Sequence, residues 1–346
     1  MSKRILYIDP ISPYGHDNLN KRYISKFIEK GYIVDVILSK RLKEKLEKEI
    51  DVNFLWIIPD IFVNAKSKYL FHFYQLLICF RIIYLNKLKY YDHVFFSSFD
   101  ELVLGLFKVK SSFFLLNHSN FSKTTNFLKM FFLKKLEKKH TFIVLSENIR
   151  QAFYLSGFKN VKVDSIGLYK KHSLEISTNN LLLAGRLINF KNYKRVIFIP
   201  TGAKLGDNFI TSLIKSKKFQ DILIENNVLI IVKGSSFTSC ANIVNLNYQL
   251  NDTEYRTIFM LSDLIVLHYP KEFKYRVSGL LFECFSNNKA CLLTRIDSFL
   301  DFGTFFNYNP YYSNENELVK KLTSNYKEYK YPYNNINKLD VKLDWI

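Results

Sequence analysis

Two stretches of this sequence gather the residue types that grip a phosphorylated ligand. Residues 181–192 read LLLAGRLINFKN: an apolar strand runs into Gly185, and Arg186 and Lys191 stand five residues apart on the segment after it. Two cations beside a flexible glycine can neutralise a diphosphate through charge-assisted hydrogen bonds. A solvated basic loop is the competing reading. Residues 262–285 read SDLIVLHYPKEFKYRVSGLLFECF: a buried strand ends at His268, a polar loop carries Glu272 and Arg276, and Ser278 and Gly279 open an apolar helix. Strand, loop and helix N-terminus make an anion site of backbone amides and helix dipole. Glu283, one turn into that helix, can accept hydrogen bonds from ribose hydroxyls; a solvated or capping acid is its plainer role.

Other signals are missing. No Gly-x-Gly-x-x-Gly occurs, so the usual dinucleotide fingerprint is absent. Residues 201–206 (TGAKLG) lack the Gly-Lys-Ser/Thr ending of a phosphate loop and read as a turn. No Asp-x-Asp pair offers itself to a metal, and no metal ligand set is expected. Cys79, Cys240, Cys284 and Cys291 form no Cys-x-x-Cys pair and no zinc spacing, so reduced structural thiols in a cytosolic protein are the reading. Of the histidines, His118 follows an apolar strand and His16 lies in the loop after the first strand; a satisfied structural role is the alternative for each.

The elements that must position these residues alternate as βαβ units do. Apolar runs predict strands at Ile5–Asp9, Ile33–Leu38, Val52–Ile58, His93–Ser97, Phe113–Asn117, Phe142–Leu145 and Val161–Ser165, with a helix from Leu19 to Lys30 stopped by Gly31. Polar residues around Lys170–Asn180 read as a linker. Beyond it, strands are predicted at Leu181–Ala184, Leu229–Val232, Leu264–Leu267 and Ala290–Thr294, and helices at Asp252–Leu261 and Gly279–Asn287. The 346 residues, 48% of them hydrophobic, suit two α/β domains: residues 1–170, residues 171–325, and a tail 326–346 that packs on the first domain or frays.

The net charge of +19 points to an anionic partner, although the Asn, Ile, Phe and Tyr richness of AT-rich coding accounts for a share of the lysines. No signal peptide is read at the N-terminus. Tyr69–Leu85 is the most membrane-like stretch, yet it carries His72, Gln75 and Arg81 and falls short of the ~20 residues of a spanning helix, so a buried or interface-lying helix is expected. Phe127–Lys139 mixes five lysines with apolar residues and suits either an anionic membrane surface or a half-buried helix.

Together the two leading stretches resemble the donor domain of the glycosyl transferases group 1, a family with the two-domain GT-B fold. The resemblance implies an α/β chain of two Rossmann-like domains facing a central cleft: an acceptor-side N-terminal domain and a donor-binding C-terminal one. It implies that Gly185, Arg186 and Lys191 hold phosphate, with Asn192 standing where the family has Gly. It implies that the amides of Ser278, Gly279 and Leu280 hold the diphosphate, that Glu283 binds ribose, and that Lys233-Gly234-Ser235 forms a nucleotide-side loop. More weakly, Tyr14-Gly15-His16 resembles an acceptor-side glycine loop, and His118 the family histidine beside the donor sugar. Retaining members pair two Glu with seven residues between them; counting back from Glu283 the first falls on Tyr275, and Glu272 lies three residues too early, while Arg276 adds a cation to that loop.

The function so implied is metal-independent transfer of a sugar from a UDP- or GDP-sugar to a glycan or lipid-linked acceptor in surface polysaccharide synthesis. No separate cofactor is expected. His118, Arg186 and Lys191 act at the reacting sugar phosphate, and Gly15, Gly185, Gly234, Arg276, Ser278, Gly279, Leu280 and Glu283 bind the donor. Either Arg186 or Lys191, cut to alanine, would then weaken donor binding by roughly 1.5–3 kcal/mol. A cytoplasmic place, peripheral to the inner membrane face, is implied as well. The alternative is a nucleotide-sugar epimerase or hydrolase of the same fold. A basic nucleic-acid binder ranks below both because no recognition motif of that class is present, and no nucleic-acid partner is expected.

Overall fold

The computed structural model describes residues 2–12, 16–85, 88–118, 120–123, 126–172, 180–200, 208–234, 239–248, 250–324 and 329–346. They form two compact units. The first comprises Met1–Leu168, Tyr275–Val277 and Leu339–Ile346; the second comprises Tyr169–Lys274 and Ser278–Lys338.

The first unit is built on seven strands: β1 (Arg4–Ile8), β2 (Ile33–Ser39), β3 (Asn53–Ile58), β4 (His93–Phe96), β5 (Phe114–Leu116), β6 (Thr141–Val144) and β7 (Val161–Val163). They pair in parallel in the order β3-β2-β1-β4-β5-β6-β7. Ile5, Leu6, Tyr7 and Ile8 are wholly buried, as the unbroken apolar run of a two-sided sheet requires. The helix Asp17–Glu29 buries Leu19, Tyr23, Ile24 and Phe27, one stripe at helical spacing. It ends where Gly31 adopts φ +82°, with the Tyr32 amide donating to the Phe27 carbonyl. Chain order reverses between β1 and β4, so their carboxyl ends flank the crevice where open α/β sheets bind ligands.

Residues 339–346 close this unit. Trp345 stacks on Phe95 (5.5 Å, 18°) and donates its indole N–H to Asp164 at 2.6 Å. The amides of Lys342 and Leu343 donate to the same carboxylate. Near the other end of the sheet, His140 is buried, stacked on Phe113 at 4.7 Å, and accepts that residue's amide at Nδ1. Burial and the Lys139 charge push its pKa down to about 4. The folded state thus holds this imidazole neutral while the unfolded chain protonates it near 6.5. Stability is expected to fall with acid by about 1.4 kcal/mol per pH unit between ~6.5 and ~4 from this residue alone. Thermal melts from pH 7 to 5 check this: His140→Gln flattens the slope.

The second unit holds a hairpin and a six-stranded parallel sheet. The hairpin pairs β8 (Asn180–Leu183) with β9 (Arg186–Asn189). The sheet has β10 (Arg195–Ile199), β11 (Val228–Lys233), β12 (Ile243–Leu246), β13 (Leu264–Leu267), β14 (Cys291–Thr294) and β15 (Tyr311–Tyr312), in the order β12-β11-β10-β13-β14-β15. Ile197, Ile230, Ile243, Leu264 and Leu292 are each 0% exposed and form its core. Here the order reverses between β10 and β13, so the segments after Ile199 and after Leu267 flank the second crevice. Thr201–Gly206, read as a turn, lies outside the described residues.

Candidate functional site

In the first unit the polar groups gather past the ends of β1, β4 and β5. Asp9, the residue after β1, is wholly buried. It accepts hydrogen bonds from the Ser12 amide (3.2 Å), from Asn20 Nδ2 (2.9 Å) and from the Ser98 hydroxyl, and its Oδ2 faces His16 Nδ1 at 3.5 Å. Burial alone would raise its pKa; the hydrogen bond and charge of His16, with Ser98 and Asn20, outweigh that and hold it at about 2. A permanent carboxylate is thereby aimed at an imidazole.

His16 sits at the N-cap of the helix Asp17–Glu29, and its Nδ1 lies 2.8 Å from the Ser12 hydroxyl. With Nδ1 protonated toward the carboxylate, the Nε2 lone pair is left available. An imidazole so held accepts a proton at Nε2, and the imidazolium that forms is stabilised by Asp9. His118, two residues past β5, meets the His16 ring edge-on at 4.9 Å. Burial, then the charges of His16 and Arg276, push its pKa down to about 3, so it works as a neutral hydrogen-bonding group. Among the described residues its buried Nδ1 meets no hydrogen-bond partner, and neither does Nδ2 of the neighbouring Asn117. Arg276 thus takes its place with the first unit and acts on His118 through its charge. Tyr275 packs edge-on against Phe121 at 5.0 Å.

The helix Lys68–Phe80 supplies two more polar groups at this edge. Gln75 donates to the Pro10 carbonyl at 2.9 Å, and His72 Nδ1 lies 2.7 Å from Asp100 Oδ2. The other Asp100 oxygen caps the amides of Leu102 and Val103. Gly15 lies outside the described residues.

In the second unit Ser278 caps the helix Gly279–Ser286, accepting the Leu281 amide and sharing a 2.8 Å hydrogen bond with the Tyr269 hydroxyl. Gly279 and Leu280 follow in the first turn, where amides point out of the helix end. A Cβ on Gly279 would come within 3.1 Å of the Tyr169 hydroxyl, so a larger residue there requires that side chain to shift by a few tenths of an ångström. Glu283 is buried, and both of its oxygens are engaged: Oε1 with His172 Nε2 at 2.6 Å and Oε2 with the Tyr255 hydroxyl at 2.8 Å. Its remaining lone pairs can still take hydroxyls. Gly234 ends β11 at φ +78° and donates its amide to Leu246, at the carboxyl edge that Ser278 also follows. At that edge a cavity of about 450 Å³ is lined by Lys271, Lys274 and Arg295 with Glu272 and Asp297. His268 is structural: it is stacked on Phe209 at 4.5 Å and hydrogen-bonded to Tyr312.

Arg186 and Lys191 do not join this turn. Ala184 (φ +48°) and Gly185 (φ +75°) form a two-residue hairpin turn, so 181–184 is one arm of β8–β9 rather than a sheet strand delivering a loop. The Arg186 guanidinium donates to the carbonyls of Cys240 and Ala241, which lead into the edge strand β12. Strands β11 and β10 separate β12 from β13, about 14 Å at the usual strand spacing. Lys191 is exposed in the turn that leads into the amino end of β10, the opposite end from Ser278. Alanine at Arg186 is therefore expected to leave UDP affinity within twofold, measured by calorimetry, while lowering the melting temperature.

Sequence reading missed Asp9 as a site residue, together with the partners of Glu283. A carboxylate as the last residue of an apolar strand was the available signal for Asp9.

No protein-family model matches the sequence, and no curated protein matches it. Solved structures do match in fold. One is described as a putative UDP-N-acetylglucosamine 2-epimerase from Listeria monocytogenes, with TM-score 0.61 and 9% identity over 97% of this chain and 93% of that one. Another is Anabaena HepE in complex with UDP and glucose, with TM-score 0.60 and 13% identity over 93% of this chain and 89% of that one. A UDP-N-acetylglucosamine 2-epimerase from Rickettsia bellii gives TM-score 0.57 and 15% identity over 95% and 90%. The architecture is that of two Rossmann-like domains of the GT-B fold.

Proposed function

We propose that this chain is an enzyme acting on a nucleoside-diphosphate sugar, a UDP-sugar before a GDP-sugar. The observation that carries the reading is the buried Asp9 carboxylate holding His16 as a proton acceptor at the carboxyl end of the first sheet. The Ser278, Gly279 and Leu280 amides and the dipole of their helix take the diphosphate, and Glu283 takes the ribose. In sugar transfer, His16 Nε2 removes the proton of an acceptor hydroxyl as it attacks the anomeric carbon. Neutral His118 hydrogen-bonds the sugar, and the diphosphate leaves with its charge spread over helix amides. Cations of the second unit near that loop, Lys271 and Lys274, add to the field, so the scheme requires no metal. A glycan or lipid-linked acceptor, as in surface polysaccharide synthesis, is the substrate class this chemistry suits.

A second reading rests on the structural likeness to proteins described as UDP-N-acetylglucosamine 2-epimerases. Moving a proton at C2 calls for a group that can take and return it. At the first-unit edge Asp9 and Asp100 are engaged with their neighbours and His16 is the group suited to that step, so the site serves this reading at least as well as transfer.

One experiment separates them. The protein is incubated with UDP-N-acetylglucosamine and UDP-glucose, without and then with glycan acceptors, and the products are followed by proton NMR. A C2-inverted sugar formed without acceptor establishes the epimerase. UDP release that depends on an acceptor hydroxyl establishes the transferase. Neither, together with no UDP binding by calorimetry, refutes both.

A further inference from the structure

The helix Lys68–Phe80 and the π-turn Arg81–Leu85 that continues it have two faces of opposite use. Gln75, Ile78, Cys79 and Ile82 point inward and are buried. On the other side Tyr69, Phe73, Phe80 and Tyr84 are 88, 53, 52 and 55% exposed, with Leu76 and Leu77 between them. These positions fall at helical spacing on one stripe, about 22 Å long at 1.5 Å per residue. The stripe continues sideways. The short helix Glu101–Leu104 packs against both Lys68–Phe80 and Phe127–Glu137, and the latter exposes Phe127, Leu128 and Phe131. Patches of this kind are rare on proteins that stay free in water.

Charge names the occupant. From residue 61 to residue 91 the sequence has no Asp or Glu, and Lys66, Lys68, Arg81 and Lys89 are exposed there. From residue 102 to residue 136 it again has none, while Lys135 and Lys138 stand exposed around the end of the second helix. Phenylalanine and leucine in the middle, tyrosine toward the ends and exposed cations whose neighbouring acids, Asp100 and Glu101, are buried make the pattern of an element lying in a lipid headgroup layer. No helix among the described residues is long and apolar enough to cross a membrane. We propose that this face docks the protein, lengthwise and without insertion across it, on an anionic lipid bilayer. The same helix carries His72 and Gln75 on its inner side, so docking brings the polar edge of the first sheet to within about a helix diameter, ~10 Å, of the lipid surface. This proposal stands whichever reaction the protein performs.

The test uses the full chain and vesicles of phosphatidylcholine with or without phosphatidylglycerol, in co-sedimentation. Wild-type protein is expected to pellet with the anionic vesicles and to be released by raised salt. The double variant Phe73→Ser, Phe80→Ser, with an unchanged melting curve, is expected to partition at least about tenfold less, since each exposed ring withdrawn from the interface removes on the order of 1 kcal/mol. Lys66→Gln with Lys68→Gln, which leaves the rings in place, is expected to weaken anionic binding alone. Equal pelleting of wild type and the ring variant, or no pelleting with anionic vesicles, overturns the proposal. So does a wild-type dimer in ultracentrifugation that the ring variant dissociates, because a second copy would then be what covers the face.

Discussion

Replacing His16 by alanine is expected to lower turnover by 10²–10⁴-fold, roughly the worth of a positioned general base, while UDP affinity stays within twofold. The imidazole is held by Asp9 and Ser12 at the end of β1, and the groups proposed to grip a diphosphate belong to the second unit, so the loss is expected to fall on kcat and to spare donor binding. Asp9→Asn separates orientation from charge. The amide can still hydrogen-bond, but it carries no charge to stabilise an imidazolium, so kcat falls. A purely structural role would leave kcat per folded molecule unmoved and change only the melting temperature. Steady-state kinetics on the two variants, with calorimetry for UDP, check this. Undiminished kcat in His16→Ala removes the dyad from the mechanism.

Trp345→Ala is expected to be strongly destabilising, at about 2 kcal/mol. The indole stacks on Phe95, tilts against Phe114 at 4.7 Å and meets Phe27 at 6.3 Å. Its loss strips these ring contacts from the central strands. It also removes the N–H donor of Asp164, a carboxyl whose pKa burial already raises. The effect is unlike that of fraying a terminus, because residues 339–346 share six hydrogen bonds with the rest of the first unit at Asp164 and Asp340 alone. Urea unfolding followed by fluorescence and circular dichroism measures it. A midpoint shift below the equivalent of ~1 kcal/mol would mean that the tail is dispensable.

The sequence spoke clearly where burial is two-sided. All seven strands of the first sheet overlap the apolar runs, with ends that agree within two residues, because strands covered on both faces, as β1, β2 and β4 are, leave no alternation to blur them. The second sheet was harder for specific reasons. β10 opens with Arg195, a cation that is buried because its guanidinium donates to the carbonyls of Leu322 and Ser324, and its neighbours are Lys194 and Tyr193. That local polarity hid a core strand. β12 is four residues long with Asn245 inside it, and β15 has two residues. Conversely, Leu181–Leu183 look like a core strand but belong to a hairpin, for which the paired left-handed residues Ala184 and Gly185 were the sign. The site was legible as residue types but not as partnerships. Glu283 stood out as an acid on an apolar helix, yet its partners His172 and Tyr255 lie 111 and 28 positions away. Asp9 gave no motif at all; its meaning comes from four donors brought to it by three separate segments.

Residues 275–277 and 339–346 are grouped with the first unit although the residues on the chain side of each belong to the second. The polypeptide therefore passes from one unit to the other four times. No single cut yields two self-sufficient halves: a fragment ending at Leu168 lacks both Trp345 and Arg276. Gene fusion or exchange of one half between related proteins would have to carry these two short inserts along with the main body. The halves of this molecule are thus bound to evolve, and to be engineered, as a pair.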